Sequence, residues 1–348
     1  MVNVVITGAA GFLGSRLARE LLAAGSVGVA GGQARPLSRM TLVDQAPVPP
    51  DLAADERVTA VRGDLTRLLD PAADGPDVLA TGGLRGFLGE AEVVFHLAAA
   101  VSGECEADFD LGIRANLQAT EALLASCRAL GTNPVVVFSS SLAVFGGSAE
   151  LPLPQVVDDQ TRPNPQTSYG AQKAIGEQLL ADYTRKGFLR GRALRLASIS
   201  VRPGRPNAAA SGFMSGIIRE PLAGQRATCP VDPDTEVALA SPATAMAGLR
   251  CAATASDQAW GGRSAVNLPA LTASLAEMAA ALTRVAGPEV SALIDWIPDP
   301  QIARIVATWP ARVHADRAAR LGLTPDPDFD SIIRMHLAES RSGVGDGR

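Results

Sequence analysis

The pattern of apolar and polar positions predicts a repeated strand–helix unit. Val2-Asn3-Val4-Val5-Ile6 is a short β-branched run that reads as a buried strand. Leu13, Leu17, Leu21 and Leu22 then recur at helical spacing until Gly25 stops the helix. Further strands are expected over 40–43, 57–61, 93–97, 134–138 and 192–196. Long helices are expected over 108–130, closed by Gly131, and from Ser168 through Ile175, Leu179 and Leu180. Strands alternating with helices across short turns mean an α/β fold with a doubly wound parallel sheet.

Between these elements the segment 26–38, rich in Gly and Ala with Pro36, reads as a mobile surface connection. The stretch 82–89 is polar and Gly-rich around Phe87 and has no legible form, and 146–165 is a polar, Pro-rich loop. From Ser198 the composition shifts. Residues 201–207 cannot be regular, and 208–222 reads as a loop and then a helix ending before Gly224. Ser241 can cap a helix running to Thr254, 265–268 reads as a strand, and 271–285, 314–321 and 330–338 read as helices. Residues after Glu339 are polar and expected to fray. This divides the chain into a Rossmann domain over 1–197 and a smaller C-terminal α/β substrate lobe over 198–340, between which the chain can cross. That lobe is expected to rest on the sheet edge and to bring little chemistry of its own.

Thr7-Gly8-Ala9-Ala10-Gly11-Phe12-Leu13-Gly14 joins the first strand to its helix. Glycines at 8, 11 and 14 in that context form a dinucleotide-binding turn. A side chain at Gly8 or Gly11 would stand between the backbone and a pyrophosphate, and one at Gly14 would push the helix off the strand. The free N–H groups of the helix start, around Phe12 and Leu13, meet the phosphate charge. Asp44 ends the second strand, where a carboxylate can accept from both adenosine ribose hydroxyls and repel a 2′-phosphate. NAD is therefore expected over NADP, a capping or solvated Asp44 being the alternative. Asp64 could accept from the adenine amino group or equally cap the next helix. Ala98 and Ala99 are small residues at a strand end, where a dinucleotide can lie close. His96, among apolar neighbours, reads as a packed core histidine.

Composition narrows the class. A net charge of −5 over 348 residues, with no charge block, gives no basic footprint for nucleic acid. No apolar run reaches the length of a membrane span, and the first strand begins at Val2 without a basic leader, so a cytoplasmic protein is expected. Cys105, Cys127, Cys229 and Cys251 form no CxxC pair and read as small buried side chains, with no metal site expected.

The chemistry gathers at Ser139-Ser140-Ser141, closing the fifth strand, and at Tyr169 and Lys173, one helical turn apart. A free phenol has a pKa of about 10 and is a poor base. An ammonium beside it favours the phenolate, so Lys173 is expected to make Tyr169 a usable acid–base, with the Ser141 hydroxyl holding the substrate oxygen.

The glycine turn, the serine cluster leading to Val144-Phe145-Gly146, and the Tyr169/Lys173 pair together resemble the extended short-chain dehydrogenase/reductase family over roughly residues 2–200. The resemblance implies Tyr169 as the acid–base, Lys173 on the nicotinamide ribose, Ser141 orienting substrate, Asp64-Leu65 at the adenine, and Ala98, Ala99 and Ser139 along the cofactor. It also implies a homodimer paired through the 108–130 helix and the Tyr169 helix. Phe145, where many sugar-nucleotide members carry tyrosine, and Ser241-Pro242-Ala243-Thr244, where they usually show an acidic pair, depart from the nucleotide-sugar pattern. The segments Ser200 to Phe213 and Ile217 to Leu222 resemble a group within the family that oxidises a four-carbon sugar acid at C2 with NAD, D-erythronate to 2-oxo-tetronate. A nucleotide-sugar epimerase or dehydratase holding NAD tightly, and a non-catalytic dinucleotide-binding protein, are the alternatives. A sugar acid needs a cation for its carboxylate. Arg202, Arg205 and Arg219 lie in the segment expected to roof the site, Arg219 being the first choice, with Ser102 and Ser198 as hydroxyl partners.

Overall fold

The computed structural model describes residues 1–68, 88–204 and 209–341. Its centre is a sheet of eight strands: β1 (Val2–Thr7), β2 (Ser26–Val27), β3 (Arg35–Asp44), β4 (Val58–Arg62), β5 (Val93–His96), β6 (Val135–Ser141), β7 (Arg190–Leu196) and β11 (Val266–Asn267). Across the sheet the order runs β11-β7-β6-β5-β1-β3, and β3 carries both β4 and β2 on its outer edge. All pairings are parallel except β2 with β3. This is the expected doubly wound Rossmann sheet.

Both faces of the sheet are covered, which is why its strands read as continuous apolar runs. Val4 and Ile6 turn to one face and pack with Leu17 and Leu21 of α1 (Phe12–Ala24). Val5, Val94, Val136 and Phe138 turn to the other, beneath Leu123 and Leu124 of α2 (Ala119–Leu130) and Leu180 of α3 (Ser168–Arg185). Helix α4 (Gly212–Leu222) follows the loop after β8 (Ser198–Ile199), and α5 (Pro242–Thr254) returns to the main core through Ala245, Met246 and Leu249. Ser241 caps α5 as expected, its Oγ accepting from the Thr244 N–H at 3.1 Å.

A separate core lies beyond the sheet. It gathers Met214 and Ile217 of α4, Val237 and Leu239 of β10 (Glu236–Ala240), Met278 and Leu282 of α6 (Leu275–Ala286), and Ile332 and Ile333 of α7 (Phe329–Arg341). Two small sheets serve it: β8-β10-β12, with β12 at Leu271–Ser274, and β9 (Ala227–Cys229) beside β13 (Ile294–Trp296). The chain crosses back, since β11 and α5 belong with the Rossmann layers.

Three expectations change. Segment 26–38 is an ordered hairpin rather than a mobile connection. β2 pairs with the start of β3, and Ala30 and Gly31 donate to the carbonyls of Ala253 and Thr254 at the end of α5. Gly31 has φ +83°, a conformation a residue with Cβ rarely adopts. Residues 271–274 are strand, not helix; their pairing with β10 uses the apolar Leu271 and Ala273, and a Ser274/Glu277 capping box starts α6 only afterwards. The expected 108–130 helix is three pieces: Phe109–Gly112, a π-helical Ile113–Gln118, and α2. The stretch 82–87 with Phe87, Arg205 and the residues after 341 lie outside the described residues.

His96 is the packed core residue expected. It is buried between Thr7 Oγ1 (2.7 Å) and Thr120 Oγ1 (2.9 Å), and burial, aided by the Lys173 charge, pushes its pKa down to about 3. The unfolded chain takes up this proton near pH 6.5 and the folded chain does not, so stability falls as pH drops from 6.5 towards 3. Thermal melts between about pH 7 and 4 are expected to show that loss, and His96→Gln to reduce its slope.

Candidate active site

A cleft of about 320 Å³ opens along the C-terminal ends of β1, β5, β6 and β7. Ligands bind there in open α/β sheets. One part is lined by Gly8, Gly11, Phe12, Leu13, Gly14, Ala99 and Ser139, another by Ser102, Ser141, Tyr169, Lys173 and Ser198.

The glycine turn is held by its neighbours. The N–H groups of Gly8 and Ala9 donate to the Val43 carbonyl (2.9 and 3.3 Å), and Ala10 N–H donates to Asp44 Oδ2 at 2.9 Å. Gly8 has φ +72°, and a Cβ there would come within 2.6 Å of the Ala98 nitrogen. Its constraint is therefore the close approach of the turn to the end of β5, not the ligand space expected from sequence. A Cβ at Gly14 would lie 2.1 Å from the Gly8 carbonyl oxygen, so Gly14 seats the helix on the turn. Gly11 meets only that same oxygen, at 3.2 Å, and stays open to the cleft. Helix α1 starts without a side-chain cap, which leaves its first N–H groups for an anion.

Asp44 sits at the end of β3 as expected; Oδ1 accepts from Ala46 N–H, so this carboxylate organises both flanking turns. Asp64 takes its capping option, Oδ1 accepting from the Thr66 N–H and hydroxyl. Leu65 is buried in the core beneath α2, and neither residue lines the cleft. The Ala98 backbone lies against Gly8, and Ser139 Oγ donates to the His96 carbonyl at 3.1 Å.

Tyr169 and Lys173 stand on α3 and face the cleft, and Ser141, the last residue of β6, lines it beside them. The electrostatics differ from expectation. Burial pushes the phenol up to about 12, and the main influence opposing it is the Arg202 guanidinium, followed by the Ser141 hydroxyl. Lys173 is not the principal cation here. Its Nζ lies 4.8 Å from the centroid of the Phe138 ring and 5.6 Å from that of Tyr169, and burial brings its own pKa down to about 8.

Helix α3 is fixed by groups that sequence patterning did not mark. Glu177, one turn beyond Lys173, is buried with Arg195 of β7 in a two-pronged ion pair (2.8 and 2.7 Å) and also accepts from Ser140 Oγ at 2.5 Å. Arg195 stacks on Phe145, its guanidinium carbon 4.7 Å from the ring centroid, so Phe145 is core rather than cleft. Removing one partner of such a buried pair costs about 3–5 kcal/mol. Asn116, in the π-helical turn, donates to Gln172 Oε1 (2.8 Å) and the Ala100 carbonyl (3.1 Å) and accepts from Ala100 N–H. Neither pairing has a local spacing signal, because the partners are 18 and 56 residues apart.

Of the tentative substrate residues, Ser102 accepts from Ala210 N–H at 3.1 Å and Ser198 lines the cleft. Arg219 does not line it: Nη2 pairs with Glu220 (2.5 Å) and Nη1 donates to the Arg202 carbonyl. Arg202 does, as do Ser211 and Trp309, so the later lobe contributes more to the site than expected.

The family model for the NAD dependent epimerase/dehydratase family matches residues 4–237. D-erythronate dehydrogenase of Cupriavidus necator is 50% identical over 339 residues, covering 97% of this chain and 99% of that protein. The D-erythronate dehydrogenase of Haemophilus influenzae is 38% identical over 97% of the chain and 99% of its own length. Among solved structures, a nucleoside-diphosphate-sugar epimerase from Agrobacterium tumefaciens superimposes with a TM-score of 0.84 at 40% identity, covering 98% of this chain and 95% of that one.

Gly170, beside Tyr169, packs under the Ser141 turn so tightly that a Cβ would lie 2.1 Å from the Ala143 carbonyl oxygen. Gly170→Ala is expected to lose about 1–3 kcal/mol in urea unfolding, the usual cost of overpacking. Gly131→Ala provides the contrast: nothing lies within 4 Å there, and its cost is that of its positive φ alone.

Proposed function

The chain belongs to the NAD dependent epimerase/dehydratase family, and from that membership we propose that it oxidises a small sugar acid at C2, D-erythronate to 2-oxo-tetronate. It is an NAD-dependent oxidoreductase. The substrate reading is carried by the 50% identity with a D-erythronate dehydrogenase across 97% of the chain.

The cradle fits the cofactor: the open position at Gly11, the uncapped start of α1 and the carboxylate of Asp44 suit a pyrophosphate and a ribose diol. Gly8, Phe12, Leu13, Gly14, Ala98, Ala99 and Ser139 would line it, with Lys173 at the nicotinamide ribose. When bound, NAD supplies the acceptor for the hydride leaving C2. The chain's own part is positional and protolytic. Ser141 holds the reacting oxygen, Tyr169 takes the hydroxyl proton, and the cleft walls exclude water. A phenol pushed up to about 12 is neutral at physiological pH, so oxidation should quicken as the medium becomes more alkaline.

Mixing protein, NAD and D-erythronate is expected to release NADH continuously at 340 nm. The rate should rise between about pH 7 and 9.5, and Tyr169→Phe should lower kcat by about 10²–10⁴-fold. No net NADH from any four- to six-carbon sugar acid would turn the reading to epimerisation, in which hydride returns to the substrate; the Agrobacterium relative carries such a name.

The same reading makes the protein a cytoplasmic homodimer. Among the described helices none is long and apolar enough to cross a membrane. The outer face of α3 presents Ile175, 44% exposed, beside Ala174, Leu179, Pro163 and Pro165, an apolar patch suited to a second copy. Light scattering is expected to give a dimer mass for the native chain and a monomer mass for Ile175→Glu; a monomeric native chain would refute this.

A further inference from the structure

Arg202 is a cation without a carboxylate. Among the described residues no Asp or Glu pairs with it, whereas the neighbouring Arg219 is satisfied by Glu220. Its guanidinium is nonetheless fixed. Nε donates to the Ile199 carbonyl at 3.1 Å and Nη2 to Ser211 Oγ at 3.1 Å, while its backbone N–H donates to Ser215 Oγ. Burial depresses its pKa, and the group with the largest opposing influence is Tyr169. A partly buried guanidinium fixed in this way and facing a cleft is ready to take an anion.

The guanidinium lines the cleft together with Tyr169 and Ser211, and the planar fork of arginine matches a carboxylate in particular.

We propose that Arg202 anchors the substrate carboxylate in the cleft that Tyr169 and Ser141 also line. The proposal rests on the sugar-acid reading above. Arg202 and Tyr169 line one cleft, so a carboxylate held on Arg202 keeps the hydroxyl-bearing carbons of the same molecule within the space the phenol faces. The arrangement prefers hydroxy acids to neutral polyols of the same length. Arg219 acts behind it, supporting the Arg202 carbonyl.

The test compares Arg202→Met, Arg202→Ala, Arg202→Lys and Arg219→Met in steady-state oxidation of D-erythronate, with NADH affinity followed by fluorescence. Arg202→Met should lower kcat/KM by about a hundredfold or more, chiefly through KM, with NADH affinity unchanged within about threefold. Guanidinium ion added to Arg202→Ala should restore part of the activity. Arg202→Lys, which keeps charge but loses the fork, should fall between. A native KM in Arg202→Met, or a larger loss in Arg219→Met, would overturn the assignment. If the wild type does not turn over D-erythronate, the functional reading fails separately. Calorimetric titration of oxalate into the NADH-loaded protein then decides the anchor: binding lost in Arg202→Met supports it, and binding retained in Arg202→Met, or none in the wild type, refutes it.

Discussion

The site depends on the buried pair between Glu177 and Arg195. Two hydrogen bonds between ions in a dry interior tie α3 to β7, and Ser140 ties the same carboxylate to β6. Helix α3 carries Tyr169 and Lys173 on the surface that continues from Glu177, so wherever that carboxylate is pinned the phenol and ammonium follow. Ser141, which lines the cleft, follows Ser140 on the same strand. One electrostatic knot thus sets the spacing between the hydroxyl of Ser141 and the phenol of Tyr169. A buried pair adds little net stability over an apolar replacement, and its value here is geometric.

Charge in the cleft follows from what surrounds each group. Lys173 lies against the rings of Phe138 and Tyr169 and loses affinity for its proton through burial. Tyr169 loses acidity for the same reason, and the guanidinium that offsets this comes from the loop after β8. The Rossmann layers supply the cleft's hydroxyls, and the later part of the chain supplies the guanidinium that acts on the phenol.

Much of this was legible in the sequence because it is local. The turn from Thr7 to Gly14, the serines closing β6 and the four-residue step from Tyr169 to Lys173 all announce themselves within a few positions, and the strands of a covered sheet are apolar on both faces. What escaped is non-local. Nothing near Glu177 marks Arg195 as its partner, and nothing near Asn116 marks Gln172. The hairpin of 26–38 owes its order to carbonyls at the end of α5, more than two hundred residues on. From sequence Arg219 is the first choice ahead of Arg202, but Glu220 neutralises it, and Leu65, expected beside Asp64 at the adenine, lies under α2.

The wide turn at Ile113–Gln118 has an evolutionary side. A π-helical turn is an α-helix carrying one extra residue, and each residue of an α-helix accounts for about 100° of rotation. Asn116 reaches both Ala100 and Gln172 from within that turn. A lineage that lost a single codon there would gain a more regular helix, yet Asn116 would lose its reach to Ala100 and Gln172 while the residues of α2 kept their seats. Length at this point of the chain is therefore under tighter constraint than identity, and single-residue gaps should be rarer here than in the surrounding loops.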